Sequence, residues 1–349
     1  MLQTKNLIFT LDYEIHGNGD GDPFLLMVEP TYRLMSLMEE YGAKLTILAD
    51  IAEILCFKKY WEETGEDKFS YLEIEIQLKE AIKRGHDVQL HIHSSYFKAN
   101  WDGKRWNQYI EEYNMAALPL ERINEMIGIS KAYLENLLKP IDPDYTCHAF
   151  RAANWSMMPT ENIYQSLISN GITIDTSVYK GGCQGGNVSY DYTNAHSHLH
   201  PYKASKKDIN QYDEEGLLIE YPIYTEMRYF WHFISLLRIF RMVRAKFHRH
   251  KKNEEKIDNI KVENINKKDN RSLRLKSFFI KSPWKLDFNQ ASGKQMIAAL
   301  KKIKKETVNY NEDINVVLIG HSKTFVSYNE RTLRKFLKWC KKQENIQFS

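Results

Sequence analysis

Short apolar runs and longer amphipathic segments alternate along this chain. The short runs are rich in β-branched residues and predict strands at 7–13, 44–49, 86–93, 145–150, 172–174, 217–222 and 314–319. The longer segments have apolar positions at helical spacing and predict helices at 25–41, 71–84, 119–138, 159–170, 291–307 and 329–342. Because strands and helices alternate, we expect an α/β fold with a parallel sheet and right-handed crossovers.

The helix predicted at 71–84 illustrates how the apolar positions are assigned to a face. Leu72, Ile76, Leu78 and Ile82 recur at helical spacing and are predicted to face inward. Gly85 then ends the helix, and the next strand follows directly.

Polar or titratable residues stand at the ends of successive predicted strands: Asp12, His91, Arg151, Asp175 and His321. In a parallel α/β protein the carboxyl ends of the strands gather on one face, where functional sites form. The sequence therefore predicts one site at this face, in an open or barrel-like sheet.

Two pairs of possible metal ligands occur at these strand ends. His91 and His93 are two residues apart, and so are Asp12 and Glu14, so that each pair shares one face of its strand. Two imidazoles suit zinc, iron, nickel or cobalt but need at least one more ligand. The spacing fits a His/His/carboxylate metal site, and it fits equally two unrelated strands with satisfied polar residues.

Composition narrows the class of protein. The 349 residues suffice for one large domain or two ordinary ones, and the net charge of +4 gives no polycation argument for nucleic acid. The four cysteines form no C-x-x-C pair, which favours reduced thiols and a cytoplasmic setting. The first residues pass straight into a strand without an apolar signal region, and no uncharged apolar run approaches the ~20 residues that span a bilayer.

The regular alternation breaks between about 179 and 285, which predicts a loop-rich insertion. Within it, residues 228–249 are predicted to form a basic amphipathic helix, with Arg238, Arg241 and Arg244 at helical spacing. Such a helix fits peripheral contact with anionic lipid, at the inner face of a membrane, or equally a helix packed on the domain with a solvated basic face. Residues 250–276 are polar and predicted to be mobile.

Five short motifs in this order resemble those of the NodB-type polysaccharide deacetylases, carbohydrate esterase family 4. They are Thr10-Leu11-Asp12-Tyr13-Glu14, Leu90-His91-Ile92-His93, Phe150-Arg151-Ala152-Ala153-Asn154-Trp155, Asp175-Thr176-Ser177 and Leu318-Ile319-Gly320-His321. The chain looks most similar to the cytoplasmic, WbmS-like branch, found in surface-polysaccharide gene clusters. The resemblance covers about 1–178 and 286–345.

The resemblance implies a fold and an activity. We expect a single domain over 1–349, a distorted (β/α)7 barrel of the polysaccharide deacetylase type, with residues 179–285 inserted in it. The family binds a divalent metal, usually zinc, and removes N- or O-acetyl groups from sugars. The implied substrate is an acetylated or formylated sugar nucleotide, lipid-linked sugar or glycan of lipopolysaccharide or capsule biosynthesis, with no nucleic acid partner.

The resemblance also assigns catalytic roles. Asp12 would be the general base, and Arg151 would pair with it to keep it ionised and oriented. His321 would be the general acid for the leaving amine, with Asp175 keeping it protonated.

The metal ligands depart from the family pattern. His91 matches the family's first histidine, but Ser95 stands four residues later, where the second histidine usually lies. Tyr13 stands where the family usually has a second aspartate. Glu14 and His93 are therefore the candidate replacements, since each faces the same way as its partner two residues before.

Three residues are candidates for substrate binding. Backbone N–H groups around Asn154 and Trp155 would supply an oxyanion hole. Tyr96 belongs to an aromatic loop that either stacks on a sugar or packs onto the rim of the barrel.

Two other classes of function remain open at this point. The altered ligand motifs favour a catalytically inactive carbohydrate-binding protein, and the basic helix favours a scaffold at a membrane surface.

Overall fold

In the computed structural model, which describes residues 3–229, 281–308 and 312–349, the predicted strands form one large sheet flanked by helices. Its strands are β1 (Lys5–Tyr13), β2 (Thr46–Asp50), β3 (Asp87–Ile92), β6 (Ala149–Ala152), β7 (Ile174–Asp175), β10 (Tyr202–Ala204), β11 (Leu218–Glu220), β14 (Ile314–His321) and β15 (Ile346–Phe348). The pairs β4 (Asn100–Trp101) with β5 (Trp106–Asn107) and β8 (Cys183–Gln184) with β9 (Tyr190–Asp191) form two small hairpins.

The strand order is β10-β11-β7-β6-β3-β2-β1-β14, with β15 also on β1. All of these pairs are parallel except β10 with β11. The sheet curls into a half-barrel, and an isolated parallel bridge joins Ile223, after β11, to Val317 of β14. This confirms the predicted α/β fold of the deacetylase type.

Helices cover the outside of the sheet. They are α1 (Glu29–Glu40), α2 (Ile51–Thr64), α3 (Tyr71–Lys83), α4 (Leu120–Leu138), α5 (Thr160–Ser169), α6 (Gly293–Glu306) and α7 (Ser327–Cys340). Among the residues that the structure describes, no helix is both long and apolar enough to cross a membrane.

The chain divides into two compact units, Met1–Thr225 with Lys285–Ser349, and Glu226–Trp284. Strand β12 (Thr225–Tyr229) pairs with β13 (Lys281–Lys285), and all of their residues except Thr225 and Lys285 belong to the smaller unit. There the Arg228 guanidinium lies 3.5 Å from the centroid of the Trp284 ring. The predicted helix at 228–249 thus begins with two residues that belong to β12. Its remainder and the polar segment 250–276 lie outside the described residues.

The register of the sheet aligns the polar strand ends. Asp12 of β1 is level with His321 of β14, and Asp50 of β2 is level with His91 of β3. His91 is level in turn with Arg151 of β6. Because these strands are parallel, their side chains meet at one end of the half-barrel.

Two helices differ from the prediction. In α3, Leu72 and Ile76 were predicted to face inward but are 41% and 53% exposed. The face that packs inward is instead formed by Tyr71, Ile74, Leu78 and Ala81. The polar Gln77 lies in this buried stripe, where its amide accepts a hydrogen bond from the Tyr13 hydroxyl (2.7 Å) and donates one to the carbonyl oxygen of Val28 (2.8 Å). Helix α2 was not predicted, since its first two turns are apolar on most sides and show no helical period.

The end of β14 is covered closely by the segment after β13. Phe288 N–H donates to the Ile319 carbonyl oxygen (2.9 Å), so that its ring lies over Gly320. A Cβ at Gly320 would lie 2.0 Å from the Phe288 ring and 2.6 Å from Asn289 Oδ1.

We therefore expect Gly320→Ala to destabilise the protein by about 1–3 kcal/mol, because the buried ring and amide must move to admit the methyl group. Thermal or urea unfolding measures this change. Gly17→Ala is the matched control, since a Cβ there meets nothing within 4 Å. Equal stability of the two variants would contradict the packing described for β14.

Candidate active site

A buried ion pair joins β6 to β1 at the centre of the site. Arg151 is fully buried and donates from Nη1 to Asp12 Oδ1 at 2.6 Å. Its other donors reach Thr10 Oγ1 from Nη2 (2.9 Å) and the Thr176 carbonyl oxygen from Nε (2.8 Å). A guanidinium without solvent needs such partners, because an unpaired buried charge is strongly destabilising.

The charges around Asp12 keep its carboxylate ionised. Burial alone would raise its pKa, but the positive charges of Arg151, His321 and His91 outweigh it, so that the pKa of Asp12 lies below its ordinary value. Arg151 occupies Oδ1, and Oδ2 lies 3.4 Å from His321 Nε2. Asp12 thus has one oxygen for orientation and one facing the site.

His321 is held by its backbone. The side-chain amide of Asn289 accepts a hydrogen bond from His321 N–H (2.8 Å) and donates one to the His321 carbonyl oxygen (3.2 Å). The Trp155 ring meets the imidazole edge-on, with 6.1 Å between ring centroids. Asn289 was not predicted, because it lies 32 residues away and follows no apolar strand.

Asp175, predicted to keep His321 protonated, lies in different surroundings. Its Oδ1 accepts a hydrogen bond from Ser177 Oγ (2.7 Å), and burial raises its pKa. Within the described ranges, no hydrogen bond or ion pair joins it to His321. A different carboxylate, Asp287, interacts with the charge of His321. Burial raises the pKa of Asp287, and the charge of His321 lowers it.

The predicted metal ligands Glu14, His91 and His93 lie together. His91 donates from Nδ1 to the Arg151 carbonyl oxygen (2.8 Å), which leaves Nε2 facing Glu14 Oε2 at 3.5 Å. His93 Nδ1 is 3.2 Å from the same oxygen. The other Glu14 oxygen, Oε1, accepts a hydrogen bond from Lys323 Nζ at 2.7 Å.

Two further carboxylates, Asp50 and Glu53, point at His93. Each uses one oxygen as a hydrogen-bond acceptor, Asp50 Oδ1 from His93 N–H (3.1 Å) and Glu53 Oε2 from Ile15 N–H (2.9 Å). The remaining oxygens, Asp50 Oδ2 and Glu53 Oε1, lie 2.7 and 3.8 Å from His93 Nδ1. Both of these oxygens and Glu14 Oε2 lie at ion-pair distance around His93 Nδ1, but none of these four buried atoms makes a hydrogen bond of normal geometry.

These unpartnered atoms fit a divalent cation. The possible ligand atoms of Glu14, His91 and His93 lie within 4.8 Å of one another, and so do those of Glu14, Asp50, Glu53 and His93. Ligands about 2.1 Å from a tetrahedral metal are themselves about 3.4 Å apart, close to the separations found at Glu14 Oε2. Without a cation, burial and the negative charge of Asp50 raise the pKa of Glu53 to about 7.

The sequence contained a signal for Asp50 that was not used. Like Asp12, it is a carboxylate at the end of an apolar strand, and it begins a helix by accepting a hydrogen bond from Glu53 N–H (3.5 Å). Glu53 lies one turn into α2, and because that helix was not predicted, its position was not accessible from the sequence.

The predicted substrate residues differ in their exposure. Asn154 and Trp155 have left-handed backbone angles, with φ of 53° and 59°, at the end of β6, and both side chains are half-buried. Two consecutive non-glycine residues with positive φ are uncommon, and such strain concentrates at functional sites. Tyr96 is only 1% exposed, and its ring lies 6.3 Å from that of His93.

Comparison with solved structures places this fold. A protein of Parabacteroides distasonis described as a glycoside hydrolase/deacetylase superposes with a TM-score of 0.53 at 11% identity, covering 99% of this chain and 69% of that one. The 4-alpha-glucanotransferase of Thermococcus litoralis superposes with a TM-score of 0.51 at 14% identity, covering 100% of this chain but only 39% of the enzyme. A protein of Mycobacterium smegmatis described as a polysaccharide deacetylase superposes with a TM-score of 0.48 at 11% identity, covering 99% of this chain and 87% of that one.

The first two structures show that this chain has the same fold as a protein described as a glycoside hydrolase/deacetylase, in agreement with the deacetylase-type fold that the NodB-like motifs predicted. No family profile and no curated protein sequence matches the chain.

We expect the protein to bind about one divalent cation per chain and to lose it when His91 and His93 are both replaced by Ala. Asp50→Asn should weaken binding by about 10–100-fold, the usual effect of removing a carboxylate that supports a ligating histidine. Metal analysis and titration calorimetry after chelation and reconstitution measure both effects.

Glu220→Gln is the matched control, because burial and Asp175 already raise the pKa of this carboxyl well above its ordinary value, so the exchange conserves shape and charge. Undiminished metal content in the double histidine variant would rule out this site.

Proposed function

We propose that this protein is a metal-dependent hydrolase that removes an acetyl or formyl group from a sugar. The observation that supports it is the ionised Asp12, held by a buried arginine beside His321 and beside a group of unpartnered metal-ligand atoms. The fold, shared with a glycoside hydrolase/deacetylase, is consistent with this activity.

Glu14, His91 and His93 would hold the cation, with Asp50 and Glu53 beside them. A bound divalent ion supplies Lewis acidity, polarising an acyl carbonyl and lowering the pKa of water toward about 7. Two imidazoles favour zinc, as the family resemblance implies.

Asp12 acts as the general base. Arg151 fixes Oδ1, so Oδ2 is the oxygen left to accept the proton of the attacking water. Because the pKa of Asp12 lies below its ordinary value, the carboxylate is deprotonated at neutral pH, as a general base must be before the reaction. Proton transfer by a positioned group contributes about 10²–10⁴-fold to the rate.

His321 acts as the general acid. Its Nε2 faces the site 3.4 Å from Asp12 Oδ2, where a proton taken from water can be passed to the leaving amine or alcohol. Asn289 fixes its backbone, and the ring of Trp155 limits its movement. The proposal includes the role predicted for Asp175, which is to keep His321 protonated. Asp175 itself accepts a hydrogen bond from Ser177 Oγ.

The turn at Asn154 and Trp155 supplies backbone N–H groups for the oxyanion. One such donor is worth about 3–4 kcal/mol of transition-state stabilisation. Tyr96, buried against His93, supports the metal site from behind, and its predicted contact with sugar would need the loop to move.

We further propose that the substrate is an amino sugar of surface-polysaccharide biosynthesis, carried as a sugar nucleotide, a lipid-linked sugar or a glycan. A cytoplasmic site of action, a WbmS-like lineage and peripheral contact with the inner face of the membrane through residues 228–249 belong to the same proposal. Liposome binding by the whole protein tests the membrane contact, with Arg238, Arg241 and Arg244 replaced together by Gln as the comparison.

A carbohydrate-binding protein without catalysis is the second candidate. Tyr13 and Ser95 occupy positions where the family usually has metal ligands, which favours this alternative. It predicts sugar binding without acyl release in the metal-loaded protein.

We expect Asp12→Asn and His321→Gln each to lower the rate of acetate release from N-acetylated sugars by about 10²–10⁴-fold. Release of acetate from a panel of N-acetylglucosamine oligomers and sugar nucleotides measures the rate. Metal content should persist in His321→Gln. His148→Gln, an exchange at an exposed histidine, is the control. Acetate release by Asp12→Asn at the wild-type rate would exclude the proposed base, and binding without release by the wild type would favour the second candidate.

A further inference from the structure

A lysine that no sequence motif identified lies beside the proposed active site. Lys285 begins the last part of the larger unit, and its Nζ lies 3.2 Å from the centroid of the Trp155 ring and 4.3 Å from that of Tyr179. Trp155 in turn contacts His321 edge-on. The Trp155 ring therefore contacts both the ammonium group and the proposed general acid.

The ammonium has no acceptor in the part of the chain that the structure describes. An ammonium carries three N–H donors, and an aromatic face attracts the charge without satisfying them all. No carboxylate oxygen of the described residues lies within 4 Å of Lys285 Nζ, and none of these residues accepts a hydrogen bond from it, although the side chain is half-buried.

The carboxylates whose charge reaches Lys285 are already bound. These are Asp287 and Asp12. Asp287 Oδ1 accepts from Asn289 N–H (2.7 Å), and its Oδ2 accepts from the Gln290 side chain (2.9 Å). Asp12 is bound to Arg151 through Oδ1, and its Oδ2 lies 3.4 Å from His321 Nε2. Neither forms an ion pair with Lys285, so the described carboxylates leave the N–H donors of this ammonium available to a group of the ligand.

We propose that Lys285 binds an anionic group of the sugar substrate, a carboxylate or a phosphate, and thereby selects charged over neutral sugars. This inference rests on the proposed function for the position of the sugar. The Trp155 and Tyr179 rings hold the ammonium in place, so that little side-chain entropy is lost when an anion binds. A charge-assisted hydrogen bond then provides the selectivity.

The electrostatics of Lys285 agree with this role. Burial lowers the pKa of Lys285 to about 8. The negative charges of Asp287 and Asp12 act in the opposite direction, and the positive charge of Arg151 lowers the pKa further. The ammonium is thus mostly charged at pH 7 and loses its charge above about pH 8. Anion binding should therefore weaken as the pH rises from 7 to 9.5.

The test compares sugars that differ only in charge. Titration calorimetry on the metal-loaded protein would use methyl glucuronide, glucose 1-phosphate and, as the neutral partner, methyl glucoside. We expect at least one of the anionic sugars to bind about tenfold more tightly than methyl glucoside, and the one that does identifies a carboxylate or a phosphate as the group recognised.

Lys285→Met should abolish this preference while leaving binding of methyl glucoside unchanged, and Lys285→Arg should retain most of it. Lys281→Met is the matched control, because Lys281 is an exposed lysine whose Nζ lies 5.2 Å from the centroid of the Tyr229 ring. Thermal unfolding shows whether each variant is folded.

Two outcomes would overturn the inference. One is equal binding of charged and neutral sugars by the wild type. The other is an anion preference that persists in Lys285→Met, which would assign it to the metal ion instead. A chain that prefers anions through Lys285 but releases no acetate would refute the hydrolase and retain the anion site, so the two failures are distinguishable.

Discussion

The buried guanidinium of Arg151 is the constraint on which the rest of the site depends. A charge with no access to water must find an anion and several acceptors, and the chain supplies them from different strands. Asp12 and Thr10 come from β1, and Thr176 follows β7. The same contacts fix which Asp12 oxygen faces His321. The electrostatic demand of one side chain thus determines the geometry of the proposed base.

At the proposed metal site the excess charge is negative, in contrast to the buried positive charge of Arg151. Glu14, Asp50 and Glu53 are buried together, and the Lys323 ammonium pairs with Glu14 alone. Burial and the negative charge of Asp50 together raise the pKa of Glu53, because like charges repel in a low-dielectric interior. A divalent cation would remove this repulsion, so metal binding and stability of the fold are linked at this position.

Much of this arrangement follows from a simple sequence rule. Polar residues at the ends of apolar strands predicted Asp12, His91, Arg151 and His321, because parallel strand ends must meet on one face. The rule does not reach residues that arrive from helices or distant segments. Glu53 lies in a helix without visible period, and Lys285 and Asn289 are placed by tertiary packing alone. The face of α3 was misassigned because its apolar residues allow two stripes, and the buried amide of Gln77 decides between them.

The position of β1 in the sheet has a consequence for how the chain folds. This first strand pairs along its whole length with β14 and at its start with β15, across more than 300 residues of sequence. Until those strands are synthesised, a nascent chain displays an unpaired apolar strand edge, which is prone to wrong pairing. Closing so long a loop is entropically slow, and contacts of such high sequence separation are typical of slow-folding topologies. Asp12 and His321 are level in this pairing, so the proposed catalytic pair forms only when the two distant strands meet.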